Sequence, residues 1–285
     1  MSTSPVLVTL EEGVALVTLN RPEQLNALDS PMMDTLPGVL RDLAYNRKVA
    51  CVVLTGAGRG FCAGGDLKAR QAELDARALL PEDEQRELAS PFNIEALLRA
   101  RIDSARQLHD MPKPTIAMIN GPVAGAGLSL AGACDLRYAA RSAVFNCAFT
   151  RAGLAGDHGG SWFWTRILGT AKARELYFLP RNLSAAEALE FGLVHGVHDD
   201  AALRDAVLGL ARRLAAGPRW AYAYAKNNLN LAEDGTLEQV LRVEATNMGL
   251  SSRTSREHGF KPSSVLRKKD AAAGGITAPQ PGPGS

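Results

Sequence analysis

The chain has 285 residues, and 32 Lys and Arg against 30 Asp and Glu leave a formal net charge of +2. That near balance argues against a nucleic-acid-binding protein, and 46% hydrophobic residues argue against a disordered one. The first residues show no basic segment followed by an apolar one, so no secretion signal is predicted. Four cysteines at no metal-ligand spacing are typical of reduced thiols. We therefore expect a cytoplasmic globular protein without a metal site.

The N-terminal part alternates predicted strands with predicted helices. Residues 6–18 alternate apolar and polar side chains around Gly13, which predicts a hairpin. Ser30 as N-cap before Pro31 predicts the first long helix. Apolar runs then predict buried strands at 49–55, 115–120 and 136–140. This order is typical of an α/β fold.

Helix signals dominate after Thr170, which can cap the segment that follows it. Ser184 and Glu187 form a capping box, and the helix that they open is predicted to stop at Gly192. The pattern divides the chain into a core, a helical region and an uncharged tail rich in Gly and Pro that predicts disorder. Helices are predicted at 200–216, 218–232 and 236–250, and the three regions are residues 1–200, 201–270 and 271–285.

Two segments allow alternative interpretations. Residues 114–134 carry no charge and could pass for a membrane span, but Pro122 and four glycines favour a buried strand, loop and helix, so no membrane partner is expected. Residues 69–92 hold six acids and three bases without a clear apolar stripe. They are either a lid over a pocket or a solvated excursion.

Three glycine-rich turns each follow a predicted strand, at 56–67, 120–130 and 153–161. None has the spacing of a phosphate or dinucleotide loop. A residue just after Gly64 and a helix start near Ala126 can each present a free backbone N–H. Two such donors that converge on one carbonyl oxygen form an oxyanion hole, which stabilises a developing enolate.

Four motifs in this order resemble those of the crotonase superfamily, the enoyl-CoA hydratase/isomerase family. The resemblance spans about residues 6–250. It implies a spiral of ββα units with a helical C-terminal layer, in which 201–270 serves oligomerisation into a homotrimer or a dimer of trimers. It also implies an acyl-CoA thioester as the ligand, with coenzyme A part of the substrate and no further cofactor. The motifs are FCAGGDL, INGPVAGAGLSLAGACDL, GLAGDHGGS and LSAAEALEFGLVH.

The resemblance also assigns roles to individual residues. The oxyanion donors fall on the N–H groups of Gly65 and Ala126. Neighbours of these donors would line the path of the adenine and pantetheine groups. One of them, Asp66, is also expected to anchor the 56–67 turn. The basic segment 251–270, with six basic and two acidic side chains, would meet the phosphates of coenzyme A. The predicted path residues are Ala63, Gly64, Asp66 and Leu67.

The chain departs from the family at its two acids. The positions of the glutamates that hydratases use read Ser129 and Phe149 here. A serine does not hold water as a carboxylate does, and a phenylalanine exchanges no proton. The two-glutamate hydration mechanism is therefore not expected, and both residues are predicted to contact substrate instead.

Asp157 aligns with the acid that isomerases and dehalogenases of this family use. The alternative is that Asp157 only caps the next helix. His158 is a second acid/base candidate, and Trp162 is either a wall of the acyl pocket or a core residue. The dehalogenase role is disfavoured because that branch's histidine falls at Ile102.

Three hypotheses follow. The first is an enoyl-CoA isomerase in which Asp157 moves a proton beside an enolate held by Gly65 and Ala126. The second is a hydratase or lyase that uses Asp157 and an ordered water. The third is a non-catalytic acyl-CoA-binding protein that retains the oxyanion loops.

Overall fold

The structure is a computed structural model that describes residues 4–260. The predicted tail at 271–285 and the second half of the basic segment, 261–270, lie outside the described residues. Residues 251–257 of that segment belong to the last helix.

A six-stranded sheet forms the centre of the fold. The hairpin predicted at the N-terminus is its antiparallel edge, and the remaining neighbours pair in parallel. Parallel strands need covering on both faces, which explains why the third and fourth strands are wholly buried. The strand order is β1 (Val6–Glu11), β2 (Val14–Leu19), β3 (Cys51–Gly56), β4 (Thr115–Ile119), β6 (Leu136–Ala140) and β9 (Gly196–His198).

The described residues also form a second, three-stranded sheet and ten α-helices. The small sheet has the order β5 (Val123–Ala124), β7 (Val144–Asn146) and β8 (Leu183–Ser184). The first seven helices are α1 (Ser30–Tyr45), α2 (Leu67–Arg77), α3 (Glu82–Leu88), α4 (Pro91–Asp110), α5 (Ala126–Ala133), α6 (Gly160–Phe178) and α7 (Ala185–Phe191). The C-terminal helices are α8 (Asp200–Ala215), α9 (Arg219–Ala232) and α10 (Leu237–Glu257).

Two hydrophobic cores lie in the molecule. In the larger one, Leu36 and Leu40 of α1 and Leu108 of α4 pack with strand residues and with α5. In the smaller one, Leu203 and Val207 of α8 pack with residues of β2, β3 and β4. The alternation along each strand separates the two sets, since successive side chains point to opposite faces.

Most predicted helix starts are confirmed, and that of α1 differs by one residue. The N-cap of α1 is Asp29 rather than Ser30, because the Asp29 carboxylate accepts the Met32 N–H at 3.0 Å. The helix predicted from Thr170 is confirmed as the second part of α6, because the backbone at Gly169 (φ 76°, ψ 164°) is not helical and separates it from the part that begins at Gly160. The capping box of Ser184 is confirmed.

The two ambiguous segments are also clarified. Residues 114–134 form β4, β5 and the buried α5, and no helix within residues 4–260 is both long and apolar enough to cross a membrane. The 69–92 segment forms α2, α3 and the start of α4. Neither α2 nor α3 contains a buried residue, which favours the solvated excursion over the lid.

Candidate active site

Parallel pairing brings two of the glycine-rich turns together. Since β3 and β4 are parallel neighbours, the turns that follow them, residues 57–66 and 120–125, leave the same edge of the sheet. Cys62 forms an isolated parallel bridge with Val123, and the Ala124 N–H donates to the Cys62 carbonyl at 2.9 Å. The two turns therefore run side by side.

Two asparagine side chains fix the first turn. The Asn26 amide donates to the carbonyls of Ala57 at 2.9 Å and Gly60 at 2.8 Å, and the Asn120 amide donates to the Gly58 carbonyl at 2.9 Å. A tight turn leaves these carbonyls without partners from secondary structure, so side-chain donors satisfy them.

Gly64 is the point of closest approach between the turns. Its φ of +96° is a conformation that favours glycine. A Cβ built there would lie 3.1 Å from the Ala124 carbonyl oxygen and 3.6 Å from the Ala126 nitrogen. Only glycine lets the backbone of the first turn reach the start of α5 in this way.

The predicted oxyanion donors flank this approach. The Leu28 N–H donates to the Gly64 carbonyl at 2.7 Å, and the Asp66 N–H donates back to the Leu28 carbonyl at 2.9 Å. These bonds pin the chain on both sides of Gly65. Neither the Gly65 N–H nor the Ala126 N–H donates a hydrogen bond to any residue between 4 and 260. Ala126 begins α5, where such a free donor is aligned with the positive end of the helix dipole.

The residues predicted to line the ligand path differ in exposure. Ala63 and Leu67 are exposed. Asp66 caps α2 through the Ala69 N–H at 3.0 Å, as its predicted anchoring role requires. That hydrogen bond is the main cause that holds the pKa of Asp66 below its usual value.

Cys62, beside these donors, is a packing residue. Its side chain is fully buried, and burial raises the pKa of its thiol to about 12. A thiol with so high a pKa is neutral at pH 7 and is a poor nucleophile.

The third glycine-rich turn presents Asp157 to solvent. Four of its residues have positive φ: Gly153 at 69°, Gly156 at 111°, His158 at 49° and Gly159 at 68°. The Asp157 side chain is 45% exposed, whereas that of His158 is 2% exposed. The N-cap of α6 is Gly159 and has no side-chain cap, so Asp157 does not cap this helix. Its carboxylate is therefore available for chemistry.

His158 lies against the same carboxylate. Its Nδ1 is 3.0 Å from Oδ1 of Asp157. That nitrogen makes no hydrogen bond within the described part of the chain, so the two atoms are in close contact without hydrogen-bond geometry. A positive φ at a residue other than glycine costs about 1–3 kcal/mol, and such strain concentrates at functional sites.

The charge of Asp157 extends to the first turn. Burial is the largest cause that raises the pKa values of Cys62 and Tyr177, and the Asp157 carboxylate adds to both increases. Cys62 lies two residues before Gly64. A Cβ built at Gly125, just before Ala126, or at Gly156, just before Asp157, would lie 3.7 Å from the Phe149 ring, so both turns border this ring.

The residues at the glutamate positions form a packed wall. Ser129 is 1% exposed and Phe149 is 7% exposed. The Phe149 ring stacks on that of Tyr177 with centroids 6.2 Å apart. A Cβ at Gly160 would lie 2.7 Å from the Tyr177 hydroxyl, which is buried without a hydrogen-bond partner among residues 4–260. Sequence reasoning missed Tyr177, because no local pattern places it near Ser129, which lies 48 positions earlier in the chain.

Trp162 lies at a cavity that the predicted oxyanion donors and Asp157 do not line. The cavity has a volume of about 990 Å³, lies between α4, α6 and α9, and is also lined by His158. The Arg166 guanidinium lies 3.8 Å above the Trp162 ring. Within residues 4–260, no three His, Cys, Asp or Glu side chains cluster as a metal site would require.

Comparison with known proteins defines the class of this fold and site. Residues 9–263 match the family model described as enoyl-CoA hydratase/isomerase. An enoyl-CoA hydratase subunit of Geobacillus kaustophilus HTA426 superposes with a TM-score of 0.78 at 28% identity, covering 93% of this chain and 95% of that one. The chain belongs to the enoyl-CoA hydratase/isomerase family, and its fold is that of the crotonase superfamily.

Individual relatives differ in the reactions that their names describe. The 1,2-epoxyphenylacetyl-CoA isomerase of Escherichia coli K12 is 38% identical over 250 residues, which are 88% of this chain and 91% of the relative. The 4-chlorobenzoyl coenzyme A dehalogenase-2 of an Arthrobacter species is 34% identical over 238 residues, 83% of this chain and 82% of the relative. The family is thus defined, while its members include more than one chemistry.

Proposed function

We propose that this enzyme stabilises a thioester enolate and isomerises the double bond of an enoyl-CoA. The observation that carries the proposal is the pair of free N–H groups at Gly65 and Ala126, with the exposed Asp157 carboxylate on a turn that borders the same Phe149 ring as the start of α5. The isomerase name of the Escherichia coli relative also supports it.

The proposed mechanism follows from these groups. The thioester oxygen accepts hydrogen bonds from both backbone donors, so the adjacent C–H becomes more acidic. The Asp157 carboxylate takes the α- or γ-proton, and the electron pair moves onto the thioester oxygen. Return of the proton to the other carbon completes the isomerisation. Coenzyme A enters as part of the substrate, and no further cofactor is required.

A hydratase or lyase reaction is the second candidate. Relatives named as enoyl-CoA hydratases support it, including one from Rhodobacter capsulatus at 34% identity. It would need Asp157 to hold the attacking water alone, because Ser129 and Phe149 are neutral and buried. The isomerase reaction needs no bound water and is therefore preferred.

Asp157→Asn tests the proposal. The parent protein should exchange deuterium from D2O into the α- or γ-carbon of enoyl-CoA and aryl-acyl-CoA esters. Asp157→Asn should lower this exchange at least about a hundredfold while the Kd for the ester stays within about threefold, since a general base contributes on the order of 10²–10⁴ to the rate.

Asp205→Asn is the matched control, because Asp205 is exposed on α8. It should exchange at the parental rate. Exchange by Asp157→Asn at the parental rate would contradict the role of Asp157. Thermal stabilisation by the ester without exchange in the parent would identify a binding protein instead.

We also propose assembly into a trimer or a dimer of trimers in the cytoplasm. Large apolar side chains remain exposed on the C-terminal helices, which supports burial between subunits. Sedimentation equilibrium at micromolar concentration should give three or six times the mass of the chain. The exposed residues are Leu229, Leu237, Leu241 and Met248.

A further inference from the structure

Arg21 joins two helix starts that lie 37 residues apart. Its Nε is 3.0 Å from Oδ2 of Asp29, and its Nη2 donates to Oδ2 of Asp66 at 2.9 Å. Its Nη1 donates to the Ala27 carbonyl. The Arg21 side chain is only 19% exposed, and those of Asp29 and Asp66 are 17% and 12% exposed. Ion pairs that are shielded from water to this extent are stronger than ordinary surface salt bridges.

Each carboxylate performs two tasks. Oδ1 of Asp29 accepts the Met32 N–H and caps α1, whereas Oδ1 of Asp66 accepts the Ala69 N–H and caps α2. The second oxygen of each carboxylate faces Arg21. The guanidinium therefore fixes the position of α1 relative to α2 through their caps.

The chain between these caps contains the oxyanion donor. Asp66 directly follows Gly65, and the Leu28 backbone, which directly precedes Asp29, bonds to both Gly64 and Asp66. A Cβ at Gly65 would meet nothing within 4 Å, so side-chain packing does not hold this residue. Its orientation depends on the hydrogen bonds and ion pairs of its neighbours.

We propose that Arg21 is a positioning residue for the Gly65 N–H donor. The inference rests on the proposed oxyanion hole. Arg21 is not itself an anchor for the phosphates of coenzyme A, because Nε, Nη1 and Nη2 are already engaged and two carboxylates outnumber its one charge. Its effect on the reaction passes through Asp66.

The test uses the full chain and benzoyl-CoA carrying ¹³C at the thioester carbonyl, a ligand without an α-proton. Isotope-edited infrared spectra report how strongly the bound carbonyl is polarised, and calorimetry gives the Kd. The parent should lower the carbonyl frequency on binding. Arg21→Lys should lose at least about half of this shift. In the deuterium-exchange assay with enoyl-CoA esters it should lower kcat about 10- to 100-fold, because a small misplacement of a catalytic donor costs rate of that order. KM should change less than about threefold.

Arg101→Lys is the matched control. Arg101 forms a paired ion bridge to Asp34 on α1 at 2.8 and 3.3 Å and is 14% exposed, but it does not touch the 57–66 turn. This variant should keep the parental shift and kcat. Asp66→Asn is the second variant, because an amide oxygen still caps α2 while the ion pair is lost, so it should lose part of the shift even where Arg21→Lys folds poorly.

The outcomes separate the two proposals. A parent that binds benzoyl-CoA without any frequency shift overturns the oxyanion hole and the role of Arg21 together. A parental shift that both Arg21→Lys and Asp66→Asn retain in full overturns the role of Arg21 alone. A loss of the shift in Arg101→Lys equal to that in Arg21→Lys assigns the effect to general loosening of α1, which also overturns it.

Discussion

At the scale of single residues, the side of the candidate site formed at Gly160 is closely packed. Gly160 opens α6 directly against Ser129 and Tyr177, and a Cβ there would approach both hydroxyls. In such close packing, adding a single methyl group changes the free energy of unfolding. The wall formed by Ser129, Phe149 and Tyr177 is therefore rigid. Ser129 and Phe149 stand at the two positions where hydratases of the family were expected to carry glutamates.

Gly160→Ala should lower the free energy of unfolding by about 1–3 kcal/mol, because an added methyl overpacks the wall. Urea unfolding measures this change. Gly209→Ala is the control, since nothing lies within 4 Å of a Cβ there and alanine favours the α8 helix. Adding Ser129→Gly to Gly160→Ala should recover part of the loss. Equal stability of the two alanine variants would show that the wall accommodates the methyl.

At the scale of elements, one lysine attaches the C-terminal layer to the core. Lys226 of α9 is buried, and its Nζ donates to the Leu108 and Lys113 carbonyls at 3.0 and 3.2 Å. It also lies 2.8 Å from Oδ2 of Asp135, just before β6. This one side chain thus holds α9 against the end of α4 and against the sheet.

Lys226→Met should lower the free energy of unfolding by about 1–3 kcal/mol, because the Asp135 carboxylate loses its cation and the Lys113 carbonyl loses its side-chain donor, while Thr115 still donates to Asp135. Chemical denaturation followed by tryptophan fluorescence is the measurement. Lys172→Met, at an exposed site on α6, should change stability by less than about 1 kcal/mol. Similar losses in both variants would argue against a special role for Lys226.

Local features of these elements could be predicted from the sequence, whereas pairs between distant residues could not. The capping box of α7 and the strand at 136–140 were predictable, because caps and apolar runs are local signals. The start of α1 was displaced by one residue because Asp29 and Ser30 are both good caps, and tertiary pairing with Arg21 selects Asp29. The Arg21–Asp66 pair spans 45 residues, and no local pattern indicates it.

At the scale of the whole molecule, stability is coupled to pH through histidines whose pKa values lie below the ordinary one. Burial is the main cause that lowers the pKa of His195, and the nearby Arg137 charge lowers it further. Nδ1 of His195 accepts the Arg137 N–H at 3.1 Å, which a protonated ring does not do. His109, at the end of α4, also has its pKa lowered mainly by burial.

These shifts predict how stability depends on pH. The folded pKa of His195 lies below the ordinary value of 6.5, so between the two values the unfolded chain binds more protons than the folded one. The free energy of unfolding should therefore fall as the pH drops below about 6.5, with a slope of at most about 1.4 kcal/mol per pH unit for one histidine. His195→Asn keeps an acceptor for the Arg137 N–H but does not titrate, so it should reduce that slope. Urea titrations at pH 7.5, 6.5 and 5.5 compare it with the parent, and an unchanged slope in His195→Asn would contradict the linkage.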